Sequence, residues 1–144
     1  MMANLFGRDD IGIGIALPFG SGRSNFKLNY TTLDQAKTNI VNLLLTDKGE
    51  RFMQPQFGTN LKRFIFEPNT RDLTSMVRTE IMDAVKFWLP YVKLGTVKVD
   101  RSIENIDQYK IVIELNFSVI DDITQFKAVT FKFGSDGSVT VMNM

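Results

Sequence analysis

Tyr109-Lys110-Ile111-Val112-Ile113-Glu114-Leu115-Asn116-Phe117-Ser118-Val119 puts Tyr109, Ile111, Ile113, Leu115, Phe117 and Val119 on one side of an extended chain. Lys110, Glu114, Asn116 and Ser118 fall on the other side. Apolar and polar residues alternating over this length specify a strand with one buried face. Upstream, Val97 and Val99 alternate with Lys98 and Asp100, which predicts a strand over residues 96–101. Downstream, a strand runs through Phe126 to Phe133, and Gly134-Ser135-Asp136-Gly137-Ser138 turns it into Val139-Thr140-Val141-Met142. Connections this short build an antiparallel meander of four strands.

Before the sheet the period lengthens to that of a helix. Leu33, Ala36, Ile40, Leu43 and Leu44 share one face of a helix over about residues 33–47. Thr32-Leu33-Asp34-Gln35 fits a capping box with Thr32 as cap, and Gly49 suits the left-handed position past the last turn. Pro55 enforces an extended path, and Leu61, Phe64 and Ile65 allow a short helical turn capped by Thr59 or Asn60. A second helix opens near Asn69-Thr70, turns Leu73, Val77, Ile81, Ala84, Val85 and Trp88 inward, and stops at Pro90. Phe52, Phe57, Leu61, Phe64 and Phe66 are assigned to the core on composition. The expected class is α+β, with two main helices on one face of the meander.

Residues 1–30 are a different kind of sequence. Asp10-Ile11-Gly12-Ile13-Gly14-Ile15-Ala16-Leu17-Pro18-Phe19-Gly20-Ser21-Gly22 interleaves apolar side chains with glycines that weaken both helix and strand. An extended N-terminal arm, ordered only against the domain or a neighbour, is the expectation, with residues 31–144 as one domain. A dinucleotide-binding loop fails on spacing, because Leu17 stands where the third glycine belongs and no strand precedes it.

Composition narrows the function classes. The 144 residues carry 17 basic and 16 acidic side chains, and a net charge of +1 gives no global field for nucleic acid or an anionic membrane. Without cysteine there is neither disulfide nor thiolate metal site. No apolar run approaches the ~18 residues of a membrane span, and no signal peptide is evident. With histidine also absent, the usual general base is missing. A carboxylate pair flanking a sugar bond is the surviving enzymatic option. Its candidates, Glu50, Glu67, Glu80, Glu104 and Glu114, read as solvated or ion-paired groups. Asp121-Asp122 reads as a turn and not a metal site, and Lys62-Arg63 and Arg78 lack the interleaved aromatics of a nucleic-acid surface. No catalytic, metal or cofactor site is expected.

Several pieces of sequence recur in one order: Asn42-Leu43-Leu44-Leu45-Thr46, then Lys48-Gly49-Glu50-Arg51, then Pro55-Gln56-Phe57-Gly58 and Leu61, then Phe66-Glu67. Glu114-Leu115-Asn116-Phe117-Ser118-Val119-Ile120-Asp121 completes the set. In this order and spacing the chain resembles the gene-25-like baseplate wedge family of contractile phage tails and type VI secretion systems. The resemblance spans about residues 31–134 and implies an α+β domain that docks in the baseplate wedge and seeds the first ring of the contractile sheath. It also implies other wedge proteins and the tail sheath protein as partners, several copies in a six-fold assembly, and a place in the virion's tail baseplate. One departure stands out, since family members end the second helix in Glu-Pro-Arg and this chain has Leu89-Pro90-Tyr91. A bidentate ion pair is impossible there, so contact at that place is apolar or has moved.

The partner-binding candidates are Arg51 and Glu67, expected to brace the loop after the first helix, with Leu89, Pro90 and Tyr91 at the departing motif. Val139, Thr140, Val141 and Met142 join them as an uncharged sheet edge. Two alternatives accompany this reading: a lysozyme-like hydrolase of peptidoglycan, and a type VI secretion baseplate subunit. The Gly-Ile arm and the Leu-Pro-Tyr departure favour a phage tail.

Overall fold

The computed structural model describes residues 11–17, 19, 26–67, 71–100, 110–120, 122–134 and 139–143. Tyr109, Glu104, Asp121, the Asn69-Thr70 helix opening, residues 135–138 of the last turn and the rest of the arm lie outside the described residues.

Helix α1 spans Thr32–Leu45. Thr31 caps it from an extended conformation, its hydroxyl accepting the Asp34 amide at 3.1 Å and donating to the Asp34 carboxylate at 2.7 Å. The cap thus falls one residue before the expected Thr32. Gln35, expected to reach back to the cap, is drawn instead to Asn29 and Asn39. Gly49 does take a positive φ, +92°, but in a turn beyond the extended C-cap Thr46. Leu61–Phe66 forms a 3-10 helix whose Asn60 cap makes no side-chain bond. Helix α2 spans Arg71–Trp88 and ends before Pro90, whose ring disfavours a helical residue ahead of it.

Strands β3 (Val92–Asp100), β4 (Ile111–Val119), β5 (Asp122–Phe133) and β6 (Val139–Asn143) follow one another as an antiparallel sheet in sequence order. Their numbering follows β1 (Gly14–Ile15) and β2 (Leu28–Asn29), which pair antiparallel in the arm. β3 begins at Val92 and not near residue 96, and β5 at Asp122 and not at Phe126. The cause is a register shift between Leu94 and Val97 and another between Phe117 and Val119. A bulge reverses the parity of the side chains, so alternation read from the far end breaks there.

Ile111, Ile113, Leu115, Phe117 and Val119 point to the core with Val129, Phe131 and Phe133. Ala36, Ile40, Leu43 and Leu44 of α1 and Leu73, Val77, Ile81 and Val85 of α2 close over them, each large side chain worth about 1.5–3 kcal/mol of burial. Ser118, expected on the polar face, is buried beside the second bulge, and its hydroxyl has no hydrogen-bond partner among the described residues.

The aromatic assignment needs correction. Leu61 and Phe64 are buried and Phe57 is half-buried, but Phe52 and Phe66 stand in solvent. In a 3-10 helix residues three apart share a face, so Leu61 and Phe64 turn in together and Phe66 turns out.

Candidate functional site

The loop between α1 and the 3-10 helix is folded on itself by its own polar groups. The Thr46 amide and hydroxyl both donate to the Asn42 carbonyl, at 3.2 and 2.6 Å. The Thr59 amide donates to the Thr46 carbonyl at 2.9 Å, and its hydroxyl to the Leu44 carbonyl at 3.1 Å. Asp47 and Thr59 form an isolated parallel bridge. The Gly49 amide reaches the Pro55 carbonyl at 2.8 Å, and the Glu50 carboxylate accepts the Asp47 amide at 2.9 Å.

Two ion pairs clamp this loop to its surroundings. Lys62 meets Asp47 at 2.9 Å, and Lys48 meets Glu80 of α2 at 2.7 Å. The same Glu80 oxygen accepts the Asn60 amide at 3.3 Å. Glu80 therefore ties the residue that opens the 3-10 helix to α2, without replacing the first-turn bond that the Asn60 side chain does not make. It was among the carboxylates read as solvated or ion-paired. Its bracing role was not legible, because no local rule connects residues on separate elements.

Arg51 lies over an aromatic ring of the same loop, its guanidinium carbon 3.7 Å from the centroid of Phe57. Phe57 packs edge-on against Trp88 at 5.2 Å, and Trp88 against Phe87 at 5.0 Å. Glu67 is exposed and makes no ion pair among the described residues. Phe52 and Met53 stand at the tip, 95% and 86% exposed.

Leu89, Pro90 and Tyr91 do three different things. Leu89 is buried in the core, and Pro90 is exposed. Tyr91 is half-buried, its hydroxyl accepting from the Asn39 side-chain amide at 2.6 Å and its carbonyl from the Ile120 amide at 3.0 Å. Asn39 belongs to a polar ladder that runs back to the arm. The Gln35 side-chain amide donates to Asn39 at 3.0 Å, while buried Asn29 donates to Gln35 at 3.0 Å and to Thr38 at 2.9 Å. Gly14 lies so close to this ladder that a Cβ there would sit 1.8 Å from the Gln35 oxygen.

At the far end of the sheet, β6 pairs only with β5 among the described residues. Val139 and Val141 pack inward against the core, and Thr140 and Met142 are exposed. β3, at the other edge, carries Lys93, Lys98 and Asp100 and the bulge after Leu94.

Asp34, on the exposed first turn of α1, pairs with Lys127 of β5. Burial pushes its carboxyl up, but hydrogen bonds from Lys127 and Thr31 and the charges of Lys127 and Lys37 outweigh this and hold it below its ordinary range. Burial and the Lys127 charge lower the Lys37 amine, with Asp34 partly offsetting them. Among the described residues no group of three or more acidic side chains could hold a metal ion, and no helix is long and apolar enough to cross a membrane.

The family model for "Baseplate wedge protein gp25" matches residues 32–122. The chain belongs to this family. It is 29% identical over 107 residues to the baseplate wedge protein gp25 of Enterobacteria phage T4, covering 74% of this chain and 79% of that protein. Baseplate protein W of Escherichia phage P2 is 32% identical over 85 residues, 59% of this chain and 73% of that protein. Among solved structures, the chain is similar to one in the anti-feeding prophage baseplate, with a TM-score of 0.60 at 18% identity over 76% of this chain and 86% of that one. A putative tail lysozyme from Geobacter sulfurreducens gives 0.57 at 21% identity, over 72% and 95%. At these identities the structural likenesses establish the α+β fold. Family membership makes the chain a structural component of a tail baseplate. The matched span includes the braced loop, α2 and β4 and stops before β6.

Proposed function

We propose that this baseplate component docks in the wedge through its loop and α2 surfaces, and recruits the tail sheath protein by strand addition at β6. The observation that supports recruitment is the contrast between the two sheet edges. β3 is guarded by charge and a bulge, whereas Val139, Thr140, Val141 and Met142 of β6 carry no charge. An extended segment added there gains main-chain hydrogen bonds along the whole edge. Arg51, Glu67 and Pro90 face outward on the wedge side of this reading, with Leu89 and Tyr91 holding Pro90 in place.

Proline substitution tests the edge. Amide directions alternate along a strand, so Thr140→Pro and Val141→Pro remove one outward donor and one donor to β5. The outward variant is expected to unfold at the wild-type temperature and to leave baseplates without sheath in electron micrographs. Normal folding with wild-type sheath assembly would refute strand addition at β6.

We propose further that the chain does not hydrolyse peptidoglycan. A general acid of this kind sits in an apolar pocket with its pKa raised. Glu50 instead accepts a backbone amide in an exposed turn, Glu80 is tied to Lys48 and Asn60, and Glu67 stands in solvent. Purified protein is expected to release no reducing ends from peptidoglycan. Turnover abolished by Glu50→Gln or Glu67→Gln would reverse this.

A further inference from the structure

The last turn of α2 leaves an aromatic row on the surface. Phe87 is 74% exposed and meets Trp88 edge-on, Trp88 meets Phe57 edge-on, and Arg51 lies over the free face of Phe57. Trp88 is turned against the core by helix period, and its neighbour Phe87 is thereby turned away from it. No packing requirement of the fold explains a phenylalanine so exposed, and large exposed apolar side chains beside tryptophan and arginine have the anatomy of a docking hot spot.

Arg51 indicates what docks. Its stem is ordered by the ring beneath it, yet it makes no ion pair among the described residues. The guanidinium edges, with their forked donors, remain available to a carboxylate while its face is held on Phe57. A second copy of the chain would have to bring exposed Glu50 or Asp83, which flank the row, onto a symmetry-related Arg51, and sedimentation separates that occupant. Single-stranded nucleic acid would need a cationic groove beside the aromatics, and the chain's net charge is only +1.

We infer that Arg51, Phe57, Trp88 and Phe87 form a docking surface for a segment of another baseplate chain in which a large apolar side chain stands next to aspartate or glutamate. The apolar side chain lies against Phe87 and Trp88, and the carboxylate closes on Arg51. This rests on the chain's docking in a wedge and names the chemistry of one contact.

Trp88 is the sole tryptophan, so its fluorescence reports on the row directly. The probe is a synthetic hexapeptide with phenylalanine followed by two glutamates, titrated to millimolar concentration. A saturable change in Trp88 emission is expected. Binding should weaken at least about tenfold when the glutamates become lysines, or when the phenylalanine becomes alanine, a loss of about 1.4 kcal/mol. Arg51→Gln should erase the preference for glutamate over lysine while keeping that for phenylalanine, and Phe87→Ala should weaken every peptide. Equal binding of the two charge forms by wild type, no saturation by any peptide, or a preference that survives Arg51→Gln overturns the inference. Tighter binding of oligo-dT than of the glutamate peptide, or a Phe87-dependent dimer in sedimentation, overturns it in favour of those occupants. Incorporation into assembling baseplates separates the two readings. Exclusion of the wild-type chain would sink wedge docking itself. Equal entry of wild type and the Arg51→Gln, Phe87→Ala double variant would sink only this surface.

Discussion

Gly58 is where the fold of the loop meets its hardest geometric constraint. Its φ is +111°, a conformation that costs an L side chain about 1–3 kcal/mol. A Cβ at this position would also lie 2.3 Å from the Thr46 carbonyl oxygen, 2.9 Å from the Thr46 carbonyl carbon and 3.1 Å from that of Asp47. All three are backbone atoms at the exit of α1, so no rotamer change relieves the overlap. The chain must part there, and the same Thr46 oxygen accepts the amide of fully buried Thr59. Losing that bond adds about 1 kcal/mol, with a similar amount at risk in the Thr59 hydroxyl bond to Leu44.

Gly58→Ala should therefore cost about 3–5 kcal/mol. Gly49→Ala is the internal control, since Gly49 also has positive φ, +92°, but nothing lies within 4 Å of its Cβ position. It should cost only the conformational part, about 1–2 kcal/mol. In a chain of this size 1 kcal/mol corresponds to about 3 °C, so midpoints should fall by about 10–15 °C and about 3–6 °C respectively. Urea and thermal unfolding followed by Trp88 fluorescence and circular dichroism measure both. Equal costs for the two variants, or a Gly58→Ala cost under about 1 kcal/mol, would refute the close contact with Thr46 as the reason for this glycine.

Two further perturbations test how the arm and the first helix are held. Asn29→Ala removes the buried donors to Gln35 and Thr38, at a cost of about 2 kcal/mol, so the Ile13 and Ala16 amides should exchange about thirtyfold faster while β4 stays protected. Unchanged exchange would mean that something other than Asn29 anchors β1 and β2. Asp34→Asn tests the charge pairing with Lys127. Because the folded pKa lies below the unfolded one, the contribution is present above the ordinary carboxylate range and lost as pH falls through the folded value. The pair is half-exposed, so the variant should be less stable by no more than about 1 kcal/mol at pH 7, with the gap closing below about pH 4. A gap that persists at pH 3 in urea titrations would assign the loss to the helix cap alone.

The parts of this fold that were legible in the sequence are those where a residue's environment follows from its neighbours along the chain. Alternation in β4 and the 3.6-residue spacing of α2 reproduce the buried set because each element turns one face to the core whatever covers it. Local chemistry was ambiguous only by a step, as between Thr31 and Thr32, where two identical side chains compete for one cap. Contacts between distant residues were invisible. Nothing near Glu80 announces Lys48 or Asn60, nothing near Tyr91 announces Asn39, and the bulges hid the starts of β3 and β5. The same cause misplaced Phe52 and Phe66, since hydrophobic character shows that a side chain gains from burial without showing that the domain has room for it. For an assembly component this divides function unevenly. The charged loop residues resemble a site in sequence, but most of them act as internal braces. The lack of charge on β6 was readable in advance because it rests on residue types alone. The row from Arg51 to Phe87 appears only when α2 and the loop are brought together, because a docking surface consists of what the fold leaves uncovered.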